Sequence, residues 1–177
     1  MARENVLQGH PEAVASAFKA GLRRLATTVS LVTVNQDGGW GGMAATAVMP
    51  MCAEPPTLLV AVNRSASIHP FISERRHFCV NLLAQRHAEL VSIFSGGAKG
   101  ADRFKTGNWE NGPGGLPILT DALARFICRT QTMVDVGSHT LLTALVEDVD
   151  MQGEVHPLLW IDGDLGAVMV ASKVITS

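Results

Sequence analysis

Apolar positions recur at two spacings along the chain. Between Pro11 and Ala26, Val14, Phe18, Leu22 and Leu25 fall on one face at helical spacing. Pro11 suits a first helical position and Glu12 the positive end of the helix dipole, so the pattern predicts a helix over Pro11–Ala26. Thr27 and Thr28 end it, and the β-branched, partly alternating run from Thr28 to Val34 reads as a strand. Asp37-Gly38-Gly39 is a hairpin turn signal, after which a strand of small residues is expected from Met43 to Met49. Glu54-Pro55-Pro56 stops that strand, and Thr57–Val62 forms a short apolar one.

Two short helical segments are expected at His69–Arg75 and Arg86–Phe94, with a strand, Phe78–Leu83, between them. Ser95–Gly115 is polar and glycine-rich, and a loop of that length is usually functional or covers a site. β pattern returns at Ala124–Val134, Thr140–Val149, Leu158–Ile161 and Leu165–Val170. Roughly seven short strands with helices at the margins favour a mainly β protein, an antiparallel barrel with short flanking helices, over a parallel α/β sheet.

Composition narrows this picture. A chain of 177 residues suits one domain spanning 1–177, with a core over about 15–170, and 47% hydrophobic residues exclude intrinsic disorder. With 14 Lys and Arg against 16 Asp and Glu, nucleic acid is not an expected partner. There is no Tyr, and only three Trp and six Phe stand beside 17 Gly, so the core is expected to be built from Ala, Val, Leu and Met. Cys52, Cys79 and Cys128 form no CxxC pair, and the last two sit in apolar runs as inert buried thiols, which fits a reducing cytoplasm. No signal-peptide pattern follows Met1-Ala2-Arg3-Glu4-Asn5, and no apolar run approaches the ~20 residues of a membrane span.

Several common chemistries are absent from the pattern. Gly39-Trp40-Gly41-Gly42-Met43-Ala44 fits GxGxxA, but Thr46, Val48 and Pro50 deny it the helix that a dinucleotide fingerprint opens. Gly96–Gly100 lacks the Gly-Lys-Ser/Thr spacing of a phosphate loop. The histidines form no HxxxH or HExxH pair, and no GxSxG elbow occurs. A bound cofactor is therefore the expected carrier of any chemistry. Gly41–Ala47 offers main-chain N–H groups with little side-chain bulk to a planar ligand. Asn63-Arg64-Ser65-Ala66-Ser67 offers hydroxyls and N–H groups at a helix entry to a phosphate. Taken singly, each also reads as a packed small-residue strand or an ordinary helix cap.

Their order is what carries a resemblance. Thr28–Thr33 after a leading helix, Gly42–Ala47, Glu54–Leu59, Asn63–Ser67, Phe78–Leu83, Asp102-Arg103-Phe104 with Trp109, Gly115-Leu116-Pro117, Gly137-Ser138-His139 and Pro157–Trp160 follow one another at family spacing. In this the chain resembles the short flavin reductase family, the reductase halves of two-component monooxygenases. That resemblance implies a split, Greek-key-like β-barrel, a homodimer and hydride transfer from NADH or NADPH to FMN or FAD. It also implies delivery of reduced flavin to an oxygenase component.

By the same resemblance the flavin lies along Trp40, Gly41, Gly42, Met43 and Ala44 and the Thr46-Ala47 pair, with its phosphate near Asn63, Ser65 and Ser67. Phe94 and Arg103 match positions near the cofactor and its phosphate. His139, the candidate catalytic residue, matches the histidine that positions the nicotinamide. Asp162 and Gly163 lie in the turn that helps hold NADH. The chain departs from the family pattern at Ala47, Ser138, Trp160 and Leu165. Two alternatives on the same barrel are a non-catalytic flavin-binding or electron-transfer protein and a flavoenzyme acting on a small-molecule substrate.

Overall fold

Both faces of the strand Ser30–Gln36 are covered: Ser30, Leu31, Val32, Thr33 and Val34 are all buried. Val32 and Val34 belong to a barrel core with Val60, Val62, Phe78 and Leu142. Leu31 belongs instead to a second, outer cluster with Val29, Leu90, Phe94 and Leu119. This explains the weak alternation of the segment, since a strand packed on two sides loses its polar face.

The structure is a computed structural model that describes residues 11–36, 38–75 and 77–168. Asp37 of the expected turn, the Met1–Asn5 start and the Met169-Val170 end of the last expected strand lie outside them. The elements are α1 (Pro11–Leu22), β1 (Thr27–Thr28), β2 (Ser30–Gln36), β3 (Gly39–Ala45), β4 (Val48–Ala53), β5 (Pro56–Asn63), α2 (His69–Arg75) and β6 (His77–Leu82). They continue as α3 (Ala88–Ser92), β7 (Trp109–Asn111), β8 (Pro117–Leu119), β9 (Ala124–Val136), β10 (His139–Met151), β11 (Leu158–Ile161) and β12 (Asp164–Ala167).

Seven strands form one antiparallel sheet in the order β3-β2-β6-β9-β10-β5-β4. Laid flat, its edges β3 and β4 would lie roughly 29 Å apart, six strand spacings. Yet only Thr46 and Ala47 separate these strands in sequence, a stretch that reaches at most about 11 Å from Ala45 to Val48. The sheet must therefore curl until its edges meet. The backbone N–H of Ala61 on β5 donates to the Ala47 carbonyl at 3.0 Å, tying the link to the sheet. This is the expected antiparallel barrel, split at a seam between β3 and β4. A small sheet, β1-β11-β12, and the β7–β8 pair flank it.

Four local expectations are corrected. The single strand Met43–Met49 is two strands on opposite edges, and Thr28–Val34 is divided between β1 and β2, which join different sheets. Methionine is mostly outside the core: Met49, Met51, Met133 and Met151 are exposed, and Met43 packs partly against it. The core is Val, Ile, Leu and Ala with Phe78 and Cys128. The helix α1 forms, ending at Leu22, but its apolar face is exposed, Phe18 at 63%.

All three cysteines are free, Cys52 exposed and Cys79 and Cys128 buried. Burial pushes the Cys79 thiol up to about 12, and burial likewise raises that of Cys128. Thiolate is the reactive form, so DTNB at pH 8 is expected to titrate one thiol per native chain and all three in guanidinium. Fast reaction of two or more native thiols would contradict this packing.

Candidate functional site

The seam brings several of the expected residues together. Thr46 and Ala47 are exposed where the chain crosses from β3 to β4. Across the Ala61–Ala47 hydrogen bond, β5 runs on to Asn63, and Asn63 is the register partner of His139 at the start of β10. The Asn63 side-chain carbonyl accepts from the Ser65 N–H and the Ser65 hydroxyl, both at 2.9 Å, which fixes the turn into Ser67. Ser65 and Ser67 are exposed. Thus Thr46, Ala47, Asn63, Ser65, Ser67 and His139 border one region.

His139 is held by a two-residue hairpin turn, Gly137-Ser138, between β9 and β10. Gly137 has φ +58°, which a side chain would disfavour and which a tight hairpin requires. The Ser138 hydroxyl stands 2.9 Å from His139 Nδ1, leaving Nε2 as the ring's other polar atom.

The remaining expected residues sit on either side of this region. The outward side of β3 is covered by the segment around Arg103. Arg103 Nη1 donates to the Gly42 carbonyl at 2.5 Å and Nε to the Ala98 carbonyl at 2.9 Å, so two of its three nitrogens hold main chain. Trp40 donates from Nε1 to Asn111 Oδ1 at 3.2 Å and packs on Phe104. Phe94 is buried behind Gly42, and Gly41 is also buried. Met43 packs toward the barrel core and Ala44 toward the outer cluster. Trp40, Phe94 and Arg103 thus form a backing for β3 rather than an open surface.

Beyond the β3 end, a cavity of about 170 Å³ lies between Ala44, Ala45, Thr46, Ser95 and Trp160. Trp160 and Ser95 join the site through contacts no local pattern announces. Two residues past Trp160, Asp162 begins the β11–β12 turn. Arg23 holds it: Nε donates to Asp162 Oδ1 at 2.9 Å, the guanidinium also donates to the Asp162 carbonyl, and the Asp162 N–H donates to the Arg23 carbonyl at 2.7 Å. The guanidinium lies over Gly163, where a Cβ would come within 2.9 Å of Nη1. This turn follows β11, whose Trp160 reaches the seam at Thr46. Among the described residues no helix is long and apolar enough to cross a membrane.

The chain is thus a split antiparallel β-barrel with a hydroxyl-bearing turn beside its seam. Residues 22–169 match the family model described as a flavin reductase like domain, and the chain belongs to that family. It is 39% identical over 146 residues to the FMN reductase (NADH) RutF of Methylorubrum extorquens, covering 82% of this chain and 71% of the relative. It is 36% identical over 152 residues to the FMN reductase (NADH) RutF of Enterobacter sp., covering 86% and 93%. A solved flavin reductase domain protein from Arthrobacter sp. FB24 superposes with a TM-score of 0.83 at 28% identity, covering 91% of this chain and 99% of that one. The flavin reductase PheA2 gives 0.78 at 28% identity, covering 88% and 98%.

Proposed function

We propose that this chain is an NADH-dependent FMN reductase that delivers reduced flavin to an oxygenase component. The observation that carries this is the seam itself: exposed Thr46 and Ala47 beside the Asn63–His139 pair, in a chain of the flavin reductase family. The names of the curated relatives support FMN and NADH as the pair.

The donor set fits a flat ligand ending in a phosphate. Thr46 and Ala47 carry no bulky side chains, and with the Ser65 N–H and hydroxyl already given to Asn63, the exposed Ser67 hydroxyl is the donor of the Asn63–Ser67 turn that suits an anion. When both nucleotides are bound, hydride passes from nicotinamide C4 to flavin N5. The protein's task is to hold the two rings in register and exclude competing reactions. His139, steadied by Ser138, presents its ring to the nicotinamide as a hydrogen-bonding and positioning group rather than a general base. Trp160 walls the cavity at Thr46, and the Arg23-anchored Asp162-Gly163 turn extends that wall toward the rest of the dinucleotide.

The test is NADH oxidation followed at 340 nm with added FMN or FAD. FMN-dependent turnover is expected, and none with either flavin would sink the reading. His139→Ala is expected to raise the KM for NADH five- to tenfold, the worth of one hydrogen bond, and that for FMN much less. An unaltered KM for NADH removes His139 from the role.

A homodimer belongs to the same proposal. Its support is the unpartnered stripe Val14, Phe18, Leu22 and Leu25 together with exposed Met49 and Met51 on the sheet-edge strand β4. Light scattering after gel filtration is expected to give two chains for the wild type and one for Phe18→Glu/Leu22→Glu. A wild-type mass of one chain removes the dimer, and a dimer surviving the substitutions removes α1 from its interface. A reducing cytoplasmic setting fits the three free cysteines.

A further inference from the structure

Arg64 sits between two residues assigned above to the phosphate, Asn63 and Ser65, yet its side chain turns away from them. Its backbone N–H donates to the Ser138 carbonyl at 3.0 Å, and Nη2 donates to the Gly137 carbonyl at 2.7 Å. Nη1 faces Asp135 Oδ2 at 3.6 Å. The other carboxylate oxygen of Asp135 accepts from the buried Thr140 hydroxyl at 2.6 Å. One residue of the β5 exit therefore grips the hairpin turn from Asp135 to Ser138, immediately before His139.

Two of the contacts fall on main-chain carbonyls and one on the Asp135 carboxylate, all within the hairpin. Gly137, with its positive φ and no side chain, offers little else to fix the turn. Fork-shaped donors suit such a job, because a guanidinium holds several acceptors in one plane. We infer that Arg64 is a positioning residue that couples the phosphate-end turn to His139, setting the imidazole against the nicotinamide. This rests on the reductase reading above.

The experiment compares wild type, Arg64→Met and Arg64→Lys in NADH oxidation with FMN and with riboflavin, which has no phosphate. Arg64→Met is repeated in the His139→Ala background. Arg64→Met is expected to lower kcat/KM for NADH about tenfold with either flavin, the loss of a charged hydrogen bond. The loss is expected to vanish in His139→Ala, and Arg64→Lys to restore part of it by reaching the Gly137 carbonyl. A loss seen with FMN and not with riboflavin makes Arg64 a phosphate ligand and overturns the inference. So does an effect that simply adds to that of His139→Ala.

Should Arg64→Met not fold, Asp135→Asn carries the same comparison. A smaller fall that disappears with His139→Ala supports coupling, and an unchanged kcat/KM overturns it. The His139 ring Cε1–H resonance gives a readout independent of turnover. It is expected to shift in Arg64→Lys, and an unmoved resonance counts against coupling. A wild type without flavin-dependent NADH oxidation would defeat the reductase reading and leave this resonance as the deciding measure.

Discussion

Asn81→Leu is expected to destabilise the protein by roughly 3–5 kcal/mol. Asn81 lies on β6 with no solvent exposure. Its Nδ2 donates to the Leu31 carbonyl at 3.2 Å and to the Thr33 hydroxyl at 3.1 Å. Its Oδ1 accepts from the Leu119 N–H at 2.8 Å. Thr33 in turn donates to the Pro117 carbonyl at 2.6 Å. These bonds attach β8 to the outside of the barrel, because β8 pairs only with β7.

Leucine keeps the volume but leaves the Leu119 N–H buried without its acceptor, and the penalty for an unmade buried bond exceeds the net worth of a made one. At ~2–4 °C per kcal/mol for a chain of this size, Tm is expected to fall by about 10 °C. Chemical denaturation gives the free energy directly, and a loss below about 1 kcal/mol would show that β8 is held by apolar packing alone. Cys79→Ala, beside it, provides the contrast. The thiol approaches Asn81 Oδ1 at only 3.5 Å, so its removal is expected to cost far less.

The contrast between Asn81 and the elements around it marks what a one-dimensional pattern carries. Strand positions were legible because apolar, β-branched runs declare themselves locally, and β5, β6, β9, β10 and β11 fall close to their expected ranges. The break at Thr46-Ala47 was not, because it contains neither Gly nor Pro. Only closure of the barrel forces β3 and β4 to opposite edges. The face of α1 was read correctly as apolar, but periodicity cannot tell whether such a face enters the chain's own core, and here it is exposed.

The site divides in the same way. The small residues from Gly41 to Ala47 and the Asn63–Ser67 turn are sequence motifs, whereas the pairing of Asn63 with His139 spans 76 positions and appears only in the register of β5 on β10. The resemblance placed Arg103 near the flavin phosphate, and which atoms it grips in the fold could not be read from it. Two of its nitrogens are spent on the carbonyls of Gly42 and Ala98.

That clamp makes Gly42 the position where a single methyl group should matter most for the loop over β3. A Cβ there would lie 2.7 Å from Phe94 Cε1, 3.1 Å from Phe94 Cδ1 and 3.2 Å from Thr33 Cγ2. Neither neighbour yields easily. Phe94 is buried and packed edge-on against Phe104 at 5.3 Å, and the Thr33 hydroxyl is tied to Pro117. Overpacking of this kind costs about 1–3 kcal/mol. The displaced ring pushes Phe104, whose neighbour Arg103 holds the Gly42 carbonyl, so the segment carrying Lys99, Arg103 and Lys105 is expected to lift from β3.

Lys99 and Lys105 are exposed already, so what changes for trypsin is how readily the backbone around them opens. Gly42→Ala is expected to be cut at Lys99, Arg103 or Lys105 at least tenfold faster than wild type, read by mass spectrometry, and to show a raised KM for FMN. Gly39→Ala, with no atom near its would-be Cβ, is expected to match wild type in both. Phe94→Leu supplies the missing room. It costs stability alone, but combined with Gly42→Ala the two losses are expected to sum to less than their separate values by 0.5 kcal/mol or more. Strict additivity, with cleavage unchanged in Gly42→Ala, would mean that the aromatic cluster gives way without disturbing the clamp, and Arg103 would then hold the loop unaided.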